Sequence, residues 1–158
     1  MKKTFRFPTI AAICALTLLL ASAGCSSFNR DWKKASATPL SANDVTGRWE
    51  GSWLSEVSGH HGRLRCLLTK LENGRYRARY KATYRKILRV SYAVDMRVEQ
   101  QQGPAGSFNF QGETDLGWSG GGVYHYEGHA TPTNFFATYK SKFDHGTFEM
   151  TRPRDAAH

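Results

Sequence analysis

His125, Glu127 and His129 stand at alternate positions of one short stretch, and alternate positions of a β-strand share a face. Members two residues apart can ligate one metal ion. The two histidines, four apart, are separated by roughly 13 Å of strand rise and cannot both bind it. With no third convergent ligand the set is incomplete as a zinc centre, so it is a weak metal candidate and no cofactor is expected. Cys66 lies among Leu64, Leu67 and Leu68 with no histidine beside it, as a small buried hydrophobe does and a nucleophile does not. No Ser-His-Asp order and no paired-carboxylate motif appears. Gly120-Gly121-Gly122 lacks the lysine and helix of a phosphate cradle and reads as a turn. The chain is therefore expected to be no enzyme, and the residues left to do chemistry are its aromatic and cationic side chains.

Those side chains are spaced for β-strands. From Val45 to Pro153 the pattern has period two, with strands expected at 46–56, 62–71, 75–84, 87–100, 106–115, 121–131, 134–141 and 146–152. In the third, Tyr76, Ala78, Tyr80, Ala82 and Tyr84 share one face, and Arg75, Arg77, Arg79 and Lys81 the other. In the fourth, Leu88, Val90, Tyr92, Val94, Met96 and Val98 point inward, with Arg89, Asp95, Arg97 and Glu99 outward. Asn73-Gly74 suggests a two-residue type I′ turn. Gly103-Pro104 and Pro132 mark other turns. Alternation keeps phase past Arg85 and Lys86, so a tight, parity-preserving turn is expected there, since an unbroken strand would be far too long. Eight short strands with one apolar face each hide that face and their edges by closing on themselves. The expected fold is all-β, an eight-stranded antiparallel up-and-down barrel, with a β-sandwich as the alternative.

The N-terminus carries the other signal. Lys2, Lys3 and Arg6 precede an apolar run from Ile10 to Ala21, and Ser22-Ala23-Gly24 supplies small residues before Cys25. This is the layout of a secretory signal peptide, too short to span a bilayer comfortably. Ser22-Ala23-Gly24-Cys25 resembles the lipobox of bacterial lipoproteins, departing from it where Ser22 replaces the usual Leu. The resemblance implies removal of residues 1–24 and lipidation of Cys25. It also implies attachment to the cell envelope, with Ser26 favouring the outer membrane, facing the periplasm, by analogy with enterobacterial sorting. Residues 25–44 read as a flexible lipid-anchored tether, 45–153 as the barrel and 154–158 as a disordered tail. Phe28 and Trp32-Lys33-Lys34 interrupt the tether's polarity, as residues resting at a membrane interface or as stray aromatics of a spacer. Only Cys66 then remains, and no intramolecular disulfide is available. The formal charge is +9, and the loss of the three cations in residues 1–24 leaves +6. An exported protein of that charge is drawn to anionic lipid, lipopolysaccharide or acidic polymer, and export sets nucleic acid aside as a partner. Oligomeric state is not legible.

Gly47-Arg48-Trp49 at the start of the first strand resembles the Gly-x-Trp of lipocalins and related calycin barrels. The resemblance implies that Trp49 lies across the closed end of the barrel with an Arg from the last strand packed on it, the position of Arg152. No C-terminal helix fits, and avidin-like lengths match better. It also implies a cup for a small apolar or amphipathic ligand, lined by Trp49, Trp53, Tyr76, Tyr80, Tyr92, Tyr124 and Tyr126. The competing expectation is that these rings fill the core. A second binding surface is expected on the outer wall, where Arg63, Arg65, Arg75, Arg77, Arg79, Lys81 and Arg89 form a basic face, since neighbouring strands lie about 4.8 Å apart.

Overall fold

A computed structural model describes residues 27–38, 44–85, 88–100 and 106–154. The signal stretch, Cys25, the turn expected at Gly103-Pro104 and residues 155–158 lie outside the described residues. Eight strands follow in order: β1 (Gly47–Ser55), β2 (His61–Lys70), β3 (Tyr76–Tyr84), β4 (Leu88–Gln100), β5 (Phe108–Asp115), β6 (Val123–Ala130), β7 (Asn134–Lys140) and β8 (His145–Thr151). Each pairs antiparallel with the next, and β8 returns to β1 through Gly51↔Met150 and Trp53↔Phe148. The sheet is one closed up-and-down ring, not two stacked sheets, and is consistent with a calycin-like fold.

The ring closes because alternation stays in phase from strand to strand. Tyr76, Ala78 and Tyr80 are buried while Arg77 between them is exposed. Leu64, Cys66, Leu68, Val94, Met96, Phe110, Tyr126, Phe135, Phe148 and Met150 complete the interior. Burying each large apolar side chain contributes roughly 1.5–3 kcal/mol. The outer wall is rich in arginine, the reverse of the apolar outer band of a membrane-spanning barrel.

One turn departs from its sequence signal and another keeps to it. Asn73-Gly74 does form a hairpin, but not a type I′ turn. The Leu71 carbonyl accepts from Gly74 N at 3.0 Å, Leu71 N donates to the Arg75 carbonyl at 2.7 Å, and Asn73 Oδ1 accepts from Arg75 N at 3.0 Å. Only Gly74 has positive φ (77°), so the connection is the longer turn with a left-handed glycine that also suits strand twist. Between β3 and β4, Tyr84 pairs with Leu88, which preserves parity, and Arg85 takes a positive φ of 46°.

The rim is uneven. β4 pairs with β5 only from Asp95↔Glu113 onward, so the stretch from Leu88 to Val94 pairs with β3 alone. Leu88 and Val90, expected inside, are therefore exposed at 60% and 57%, because β3 stands on one side of them and no strand pairs with them on the other to close the wall.

Part of the segment read as a tether has regular structure. Residues 27–35 form a helix, α1, packed on the outside of β2 and β3. Phe28 and Trp32, one helical turn apart, stack at 5.7 Å and give the segment one apolar stripe. Phe28 is 2% exposed, covered by the stems of Arg79 and Lys81, whose charged heads lie 5.7 and 5.6 Å from its ring. Trp32 lies under Arg48 and Arg65. Long cationic side chains cover apolar surface while their heads stay wet, which is why so polar a sequence docks.

Candidate functional site

The closed end is built on Trp49, which is fully buried and donates from Nε1 to the Val45 carbonyl at 2.9 Å. Arg152 Cζ lies 3.7 Å from the Trp49 ring centroid. Its guanidinium also donates to the backbone carbonyls of Thr46 (2.8 Å), Pro132 (3.0 Å), Asp44 (3.2 Å) and Arg48 (3.3 Å). Burial lowers the Arg152 pKa to about 10, which still leaves it charged at neutral pH. This pair seals the floor of the barrel and joins the entry to β1, the β6–β7 turn and the exit of β8.

Above the floor, the interior is occupied by rings. Tyr80 is 5.3 Å from Tyr92, 5.4 Å from Phe148 and 6.3 Å from Tyr126. Tyr76 and Tyr126 are buried, and Trp53, Tyr92 and Tyr124 are partly buried against the same cluster. Burial pushes the phenols of Tyr80, Tyr92 and Tyr126 well up, so all are neutral. Two buried polar atoms, Tyr80 Oη and Trp53 Nε1, have no hydrogen-bond partner. Sequence reasoning missed Tyr139 and Phe135 on this face. In β7, Phe135 and Phe136 are adjacent, so the apolar pattern points both ways. Tyr139 packs on Phe148 at 5.0 Å and donates to Asp144 Oδ2 at 3.2 Å. Asp144 also accepts from buried Ser55 at 2.7 Å, latching β1 to the β7–β8 turn. Cys66 is buried, and desolvation pushes its thiol up, away from the thiolate a nucleophile requires.

On the outer wall the expected cations divide into two groups. Arg77 makes a bidentate pair with Asp95 at 2.7 and 2.8 Å, and Arg75 donates to the Asp95 carbonyl at 3.1 Å. Arg79 pairs with Asp31 of α1 at 2.6 Å, Lys81 donates to Asn29 at 2.9 Å, and Arg65 pairs with Glu50 at 3.5 Å. The helix thus covers part of what sequence spacing suggested would be an open basic face. Beside it remains a groove of about 770 Å³ lined by Asn29, His61, Arg63, Arg65, Lys81, Arg85 and Arg89. Among the described residues no carboxylate lies within ion-pair distance of Arg63, Arg85 or Arg89. Sequence reasoning did not include Arg85, whose place in the groove comes from the turn after β3.

His125, Glu127 and His129 lie on the outer wall of β6. His125 Nδ1 is 3.1 Å from Glu113 on β5, and the His129 ring is 5.6 Å from Phe136. Among the described residues no three His, Cys, Asp or Glu side chains gather to hold an ion. Compared with known proteins, the chain matches no family model, no curated protein and no solved structure.

Proposed function

We propose that this chain is a non-catalytic lipoprotein of the bacterial envelope, exported by residues 1–24 and acylated at Cys25. We place it on the outer membrane facing the periplasm, where it holds anionic partners on its basic wall. The groove between α1 and β2–β4 carries the reading. It gathers Arg63, Arg85 and Arg89, none paired with a carboxylate among the described residues, next to Arg65 and Lys81. Guanidinium groups suit phosphate and carboxylate oxygens through bidentate contacts. Partners of matching chemistry are anionic lipid head groups, lipopolysaccharide phosphates and acidic envelope polymers.

Binding of the full mature chain, with Cys25→Ser to remove the acyl anchor, is measured against anionic and neutral vesicles and lipopolysaccharide at rising salt. Binding to the anionic partners, weakening with salt and lost in Arg63→Glu/Arg89→Glu, is expected. Equal binding to neutral vesicles, or no effect of the charge reversals, would overturn the reading. Mass spectrometry of the mature N-terminus tests the anchor, and an unmodified Cys25 would end that part.

A second reading, a small amphipathic ligand inside the barrel, is favoured by one observation: Tyr80 Oη and Trp53 Nε1 are buried without partners, and a polar guest would satisfy them. Tyr80→Phe would then weaken uptake of an amphipathic fluorescent probe. Unchanged uptake removes the reading.

A further inference from the structure

The exposed large apolar side chains share one end of the barrel. In an up-and-down ring the β1–β2, β3–β4, β5–β6 and β7–β8 connections meet at the mouth, opposite Trp49 and Arg152. At or beside these four connections stand Val57, Leu88, Trp118 and Phe143 in turn, with Leu54, Val90 and Val123 just below. Among the described residues no other large hydrophobic is exposed, and the closed end shows none. Trp118 is 99% exposed, in a single helical turn between Gly117 and Gly121 where nothing packs on it. Scattered apolar side chains on a surface need no explanation, but a gathering at one pole marks a contact site.

We infer that the mouth of the barrel docks into the interface of an anionic phospholipid bilayer, with Val57, Leu88, Trp118 and Phe143 entering the head-group boundary. Two observations choose a membrane over another occupant. The first is charge. Arg85 and Arg89 flank Leu88, and Lys142 Nζ lies 5.3 Å from the Phe143 ring. Three carboxylates share this end and keep their charge, Glu56 at 3.7 Å from His145, Asp115 accepting from Gly117 N and Asp144 from Ser55 and Tyr139, but in the chain Arg89 adjoins Leu88 and no carboxylate does, and it is Lys142 whose head lies over the Phe143 ring. Apolar tips with cations beside two of them, Leu88 and Phe143, match an anionic lipid surface, and Trp is favoured at the head-group level.

The second is the direction of α1. Its far end lies by Thr46, Leu67 and Lys70 near the floor, while Asn29 near its start reaches Lys81, further toward the mouth. The chain therefore enters α1 from the mouth side, and Cys25 is two residues before it. That point rests on the acylation reading; the apolar tips do not, and of their cations Arg85 and Arg89 also line the groove in the side wall while Lys142 does not.

The test uses full mature chain carrying Cys25→Ser, with vesicles of phosphatidylglycerol and phosphatidylcholine brominated on the acyl chains. Tryptophan emission should shift to the blue and be quenched by the bromines, and Trp118→Phe should abolish most of that quenching. Val57→Ser/Leu88→Ser/Phe143→Ser should lower vesicle partitioning about tenfold or more, with the melting temperature checking that the variant is folded. Dextran sulfate, an acidic polymer without lipid, should bind the Val57→Ser/Leu88→Ser/Phe143→Ser variant as well as it binds the parent, which separates failure of the groove reading from failure of this one. The inference is overturned if quenching is absent or unchanged by Trp118→Phe. Equal insertion into pure phosphatidylcholine would also overturn it, as would sedimentation showing that Trp118 is instead covered by a second copy of the chain.

Discussion

Replacing Arg152 tests how the floor of the barrel is held. Its guanidinium serves four backbone carbonyls at 2.8 to 3.3 Å and lies 3.7 Å over Trp49. Hydrogen bonds from a charged donor contribute about 1.5–3 kcal/mol each when short. The two long ones contribute less, and four on one head do not add. The cation–π contact contributes about 1–2 kcal/mol. Burial works against the cation, as its pKa lowered to about 10 indicates, so removing it also relieves a cost. The expected net loss for Arg152→Ala is about 3 kcal/mol. For a barrel of this size that corresponds to a fall in Tm of about 10–15 °C. Arg152→Lys keeps the charge but not the planar fork, and should lose about half as much. Urea unfolding followed by far-UV circular dichroism measures both. A loss below about 1 kcal/mol for Arg152→Ala would refute the argument that this side chain, rather than the strand ladder alone, closes the floor.

Three further outcomes follow from named contacts. Hydrogen bonding to Arg79 holds the Asp31 carboxyl below its ordinary value. Its contribution to α1 docking is therefore present above about pH 4 and lost as pH falls through the lowered folded value; Trp32 emission should report an acid transition that Asp31→Asn removes, and identical titrations would count against it. Cys66, desolvated and with its thiol pushed up, should resist maleimide at pH 8 until the protein is unfolded, and native modification mapped to Cys66 would contradict its burial. Tyr80→Phe deletes a buried hydroxyl without a partner and should stabilise the empty barrel by about 1 kcal/mol; a clear loss in denaturant titration would show that the hydroxyl is satisfied.

Most of the barrel was legible because one signal repeats. In β3 and β4, apolar and charged residues alternate without a break, so parity alone placed Tyr80 and Tyr92 inside and Arg77 and Arg79 outside. The signal failed where its assumption failed. Leu88 and Val90 keep the inward parity, but facing inward means burial only where a neighbouring strand completes the wall, and β5 stops short of them. In β7 two adjacent phenylalanines hid the phase. The helix at 27–35 shows in sequence as a single aromatic pair, Phe28 and Trp32. That pair is too short to outweigh polar surroundings until the stems of Arg79 and Lys81 supply a surface to lie on. The basic face was legible as composition, but its division into paired cations and an open groove depends on Asp31, 48 residues from Arg79 along the chain.

The seam between β1 and β8, running from Glu50↔Thr151 to Ser55↔Gly146, has a consequence for biogenesis. A polypeptide emerging N-terminus first, from a ribosome or a translocation pore, carries β1 unpaired on one side until β8 has arrived. Such late, long-range joining is slow, and raw strand edges meanwhile invite pairing with other chains. Newly made molecules thus pass through an interval of exposed edges that only a holdase or rapid completion can shorten. A premature stop removing β8 would leave that interval without end.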